Sequence, residues 1–140
     1  MSRWEVGLFI LGAVTVTSWL KPRVETMIWR SRRAEAEMVL DQLCATLQEH
    51  GGRSAGQLAF TWTPQAPDRI GTHRIPWPDD ALPVDWTPPT RSARCAYEAQ
   101  PLEGTLRLTA RCDVDGDGVH AVYTTTLAGP VARSTAPDVY

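Results

Sequence analysis

Residues 4–20 read Trp4-Glu5-Val6-Gly7-Leu8-Phe9-Ile10-Leu11-Gly12-Ala13-Val14-Thr15-Val16-Thr17-Ser18-Trp19-Leu20, and no face of a helix built from them is polar enough to rest against water. At about 1.5 Å rise per residue this run spans roughly 25 Å, slightly less than a hydrocarbon core of about 30 Å. Such a segment must be buried, in a bilayer with snorkelling ends or in the middle of a bundle. Glu5 is the exception inside it. A carboxylate there is costly unless a cation or donor meets it, and the candidates are Arg3 and the free amine of residue 1, Met1. A carboxylate at headgroup level, marking where the span begins, accounts for the same position.

Working outward, Gly12 to Pro22 is a poor helix former. It is dominated by β-branched and hydroxyl residues and closes on a proline that lacks an N–H and clashes with the preceding turn. A kink or a melted stretch is expected there. Beyond Pro22 the pattern turns amphipathic: Ala36, Leu40, Leu43 and Leu47 recur at helical spacing, Val39 and Cys44 widen the stripe, and Glu35, Glu37, Asp41, Gln48 and Glu49 face away. Gly51-Gly52 supplies the stop. The first fifty residues are thus predicted to form one long helix.

Residues 53–92 hold Pro64, Pro67, Pro76, Pro78, Pro83, Pro88 and Pro89, a density that disfavours helix interiors and central strands. The stretch 64–89 is read as a loop wrapping a globular head, with Trp77 and Trp86 as packing anchors and a short strand at Gln57–Trp62. From Ala93 on, strands are predicted over Ala93–Ala99, Thr105–Cys112 and Val119–Leu127, in an antiparallel meander. If the first hairpin, with its turn at Pro101–Gly104, closes on a four-residue loop so that positions 101 and 106 pair, Cys95 falls opposite Cys112. A cross-strand disulfide follows, which fits an oxidising compartment. The third cysteine, Cys44, reads as a small buried apolar residue.

The expected fold class is therefore α+β, a long N-terminal α-helix, kinked or melted near Gly12–Pro22, packed on a small antiparallel β-sheet head. Its parts are an apolar membrane or filament-core helix over 1–22, an amphipathic continuation over 23–52 and a β-rich head over 53–140.

Charge is divided unevenly. Residues 1–33 carry six basic groups against two acidic, and residues 34–140 carry eight against fourteen. A head with net charge −6 argues against nucleic-acid binding by that part. His50, His73 and His120 are scattered, with no nucleophile or metal partner at motif spacing, and the reading is non-enzymatic. The most distinctive local motif is Cys112-Asp113-Val114-Asp115-Gly116-Asp117-Gly118. Asp113, Asp115 and Asp117 followed by a glycine match the first half of a calcium loop, but the twelfth position from Asp113 is Thr124 instead of the bidentate Glu. Calcium is the candidate ligand, no cofactor is required, and a polar Asp-Gly hairpin turn explains the same residues.

Taken together, these features resemble the type IV pilin and type II secretion pseudopilin family in mature form: an apolar opening with Glu5, then Pro22, an amphipathic continuation and an antiparallel sheet. The stretch Leu108–Gly118 and the ending Ala136-Pro-Asp-Val-Tyr140 are similar to the C-terminal strands of short pilin-like proteins of Gram-negative bacteria. The resemblance implies a leader cut before Met1 by a prepilin peptidase, methylation of the new amine, and Glu5 neutralising the N-terminus of a neighbouring subunit. Met1, Glu5, Gly12 and Pro22 would be the assembly residues. It further implies a homo-oligomeric helical filament outside the cell, with an inner-membrane single-pass stage and pilus assembly machinery before it. Two alternatives stand beside it: a secretion pseudopilin, and a single-pass anchored, calcium-dependent binding module.

Overall fold

The sheet begins at one edge with a strand of four residues and grows by successive antiparallel pairing. In the computed structural model, described for residues 27, 30, 33–113, 115–127 and 132–133, the chain divides into two compact units, Met1–Ser31 and Arg32–Tyr140. Of the first unit, Met27 and Arg30 are helical and exposed. The second holds helix α1 over 33–49 and a short helix α2, Ala55–Leu58. Its strands are β1 (Phe60–Thr63), β2 (Ile75–Pro76), β3 (Ser92–Ala93), β4 (Ala96–Leu102), β5 (Thr105–Cys112), β6 (Ala121–Thr126) and β7 (Ala132–Arg133). Five of them form one sheet in the order β1-β4-β5-β6-β7, and β2 pairs with β3 apart from it.

The expected fold class needs correction. Among the described residues no long N-terminal helix packed on a sheet is evident; the second unit is mostly a small sheet domain with the short helix α1. The physical reason lies in the apolar pattern. Among the described residues the fully buried side chains of α1 are Ala36, Val39, Leu40, Leu43 and Leu47, about three turns of helix, so most of the core of this unit comes from the sheet. The kink expected at Gly12–Pro22 and the apolar span Trp4–Leu20 lie outside the described residues. Among the described residues no helix is long and apolar enough to cross a membrane.

The register of the central hairpin follows the sequence arithmetic. Pro101 pairs with Leu106 and Ala96 with Arg111, while Leu102 opposite Thr105 leaves only Glu103 and Gly104 in the turn. Gly104 has φ +72°, a conformation a side chain would strain. The first strand of this hairpin starts later than expected, at Ala96, and the edge strand starts at Phe60 because Gln57 and Leu58 belong to α2. Alternate residues of β5 and β6, among them Leu106, Leu108, Ala110 and Tyr123, are buried with Tyr97 of β4. Together with the α1 stripe they make up the core. Hydrogen bonds from Cys44 Sγ to the Thr126 carbonyl (3.8 Å) and from Gln48 Nε2 to the Leu127 carbonyl hold α1 to the end of β6.

Candidate functional site

Three places in the second unit carry chemistry: a buried carboxylate, an aspartate turn and a groove beside the edge strand. Glu35 is the buried carboxylate, 7% exposed, and the expectation that it faces away from the core is corrected. Its Oε1 accepts from the backbone N–H of Arg94 at 2.8 Å and of Cys95 at 3.5 Å, and its Oε2 accepts from Arg74 Nη1 at 3.2 Å. Arg74 also donates to Ser92 Oγ at 2.9 Å and to the Ser92 carbonyl. One acid on α1 thus ties the loop before β2 to the start of β4. The signal was present in the spacing: Glu35 stands four residues before Val39 and eight before Leu43, on the edge of the buried stripe. Burial first, and the nearby Glu35 charge second, hold the Tyr97 phenol well above the ordinary tyrosine range.

Cys95 and Cys112 form a disulfide with their Cα atoms 4.4 Å apart, each 1% exposed. Cys44 is a free, half-buried thiol, and desolvation raises its pKa, which disfavours the reactive thiolate. Trp77 and Trp86 meet edge to face at 5.0 Å between ring centroids, and Trp77 lies 5.5 Å from the Tyr97 ring. These aromatic contacts give the proline-rich loop an apolar anchor on the core.

The turn between β5 and β6 brings the three aspartates together: a ligand atom from each of Asp113, Asp115 and Asp117 lies within 4.8 Å of the others. Their oxygens are already engaged by the turn itself. Asp113, 5% exposed, accepts from Gly116 N–H (2.8 Å) and Gly118 N–H (3.1 Å), Asp115 from Asp117 N–H (3.3 Å), and Asp117 from Val119 N–H (2.7 Å). Gly116 has φ +81°, and a Cβ there would meet the Thr72 methyl at 3.0 Å, so the turn packs closely on the loop before β2. Desolvation raises the Asp115 pKa, with the neighbouring Asp117 charge adding to it. Thr124, at the twelfth loop position, is paired inside β6 with Thr109 and Ala132, so that position offers no bidentate carboxylate to close a calcium cage. The residues fit half of such a site. Asp113→Ala is expected to lower stability by about 2 kcal/mol, because two backbone donors lose a charged acceptor. Thermal melts of the full chain check this, and the loss should be the same with and without a calcium chelator. A wild-type melting temperature that falls on chelation alone would instead make the turn a calcium site.

The groove runs along β1 and encloses about 690 Å³ between Ala59–Thr63, Pro78–Pro83 and Glu98–Pro101. Phe60 and Trp62 give it apolar surface, while Asp80 and Glu98 give it negative charge. Arg111 places its guanidinium 5.4 Å from the Trp62 ring centroid. Desolvation raises the Glu98 pKa, partly offset by Arg111 and Arg107. Its three segments are separated by about twenty residues each along the chain, so no local pattern announces the groove.

No protein-family profile, curated protein or solved structure matches this chain. The functional reading therefore rests on the residues. Met1, Glu5, Gly12 and Pro22 lie outside the described residues. Among the described histidines, His50 has its Nδ1 at 2.9 Å from the Thr46 carbonyl one helical turn back, a local contact with no catalytic partner in it.

Proposed function

We propose that the chain is a non-catalytic subunit of an extracellular, type IV pilus-like helical filament that polymerises through its N-terminal apolar segment. The observation that carries the reading is the apolar run Trp4–Leu20 with a single acid, Glu5, followed by Pro22 and a separate compact unit, Arg32–Tyr140. Copies of the run would shield one another from water, and pairing of Glu5 with the terminal amine of Met1 in a neighbouring subunit would set the axial register. Contacts between unlike surfaces, repeated with a rotation that does not close, generate a helix. The Cys95–Cys112 disulfide supports a destination outside the reducing cytoplasm. Before assembly the apolar segment would sit in the inner membrane, with a prepilin peptidase and the pilus machinery acting on it.

Glu5→Ala tests the register role. The variant is expected to lose at least nine-tenths of the fibres seen by electron microscopy of sheared surface material, while its urea midpoint stays at the wild-type value. Normal fibre yield from that variant would overturn the role of Glu5. Short fibres confined to the periplasm would point to a secretion pseudopilin, and a wild-type chain that forms no fibres would point to an anchored binding module.

A further inference from the structure

Building on the filament reading, we infer that the groove along β1 receives the arginine-rich stretch 30–33 of a neighbouring copy. At about 690 Å³ the groove is as large as a typical ligand site. Among the described residues lining it are Asp80 and Glu98 and no lysine or arginine; Arg111 and Arg107 beside it partly compensate Glu98, which leaves Asp80 as the main acceptor charge. Phe60 and Trp62 line the same space, so an occupant must bring positive charge together with a body that lies against aromatic rings. A guanidinium does both, forking onto a carboxylate and stacking on a ring face. The Arg111 contact to Trp62 shows that chemistry already in use beside the groove. A phosphate-bearing ligand would be repelled, and a neutral one would leave the exposed Asp80 without a counter-charge.

The chain supplies its own occupant. Arg30-Ser31-Arg32-Arg33 places three arginines in four residues, within a segment of net +4 that precedes a part of net −6. Arg30 is exposed, and Arg33 pairs with Glu37 at 3.6 Å, a helix-surface pair with both side chains more than a third exposed. Exposed pairs of this kind are worth little and exchange partners readily. A cationic donor in one segment of the chain and an acidic acceptor in another are the complementary halves that a head-to-tail contact requires.

The test uses the full chain. Asp80 is exposed, so Asp80→Lys should fold, with the urea midpoint as the check. Fibre yield is expected to fall at least tenfold in Asp80→Lys and to recover when Arg32→Glu is added to the same chain. In detergent solution, a mixture of Asp80→Cys and Arg32→Cys chains is expected to give a disulfide between the two introduced cysteines, identified by mass spectrometry. Wild-type fibre yield from Asp80→Lys without that cross-link overturns the groove contact and leaves the filament reading intact. A cross-link from a chain that forms no fibres keeps the contact and removes the filament, and absence of both removes both.

Discussion

Replacing both Cys95 and Cys112 by alanine lowers the stability of the chain by about 3 kcal/mol, the value expected when a closed loop of this length is released in the unfolded state. The bridge joins the residue before β4 to the last residue of β5, 17 positions apart in sequence. Both sulfurs lie in the core, so the double variant also loses packing. Urea denaturation of wild type, with and without reductant, and of the double variant measures the difference. The reduced wild type should approach the variant, and a midpoint indifferent to both changes would mean that strand pairing alone holds the hairpin.

Glu35→Ala is expected to cost about 3 to 4 kcal/mol. Its carboxylate is the acceptor for the Arg94 and Cys95 backbone N–H groups, which water does not replace at a buried junction. Arg74, with its side chain 39% exposed, recovers solvent when the acid is removed, whereas Arg74→Ala strips one donor from a buried carboxylate that keeps its backbone donors and should cost about 1 to 2 kcal/mol. Glu35→Gln separates the contributions: it retains an oxygen for Arg94 and should recover about half of the loss. The same urea titrations rank the three variants, and an alanine variant no weaker than Arg74→Ala would show that the junction is held by packing alone.

The Tyr97 phenol adds a pH dependence with a definite sign. Burial, and then Glu35, raise its pKa in the folded state, so the folded chain holds that proton more tightly than the unfolded one. Stability from this group is full below the unfolded tyrosine value of about 10 and declines as pH rises above it.

Much of the sheet was legible in the sequence because hairpin pairing is local. Once a turn falls near Glu103-Gly104, the two-residue alternation of β4 and β5 fixes which positions face each other, and the opposition of Cys95 and Cys112 follows. The α1 stripe from Ala36 to Leu47 was equally readable, since helical spacing places those residues on one face.

What the sequence determined by itself is the register of the β4–β5 hairpin, the buried helix stripe and the half-calcium turn, each set within about twenty consecutive residues, together with the uneven charge of the whole chain. Only the tertiary structure decided that Glu35 is buried, and that Asp80, Trp62 and Glu98 share one groove. The reason is physical: a carboxylate becomes an interior group only when donors from distant segments, here Arg74, Arg94 and Cys95, converge on it and offset its desolvation.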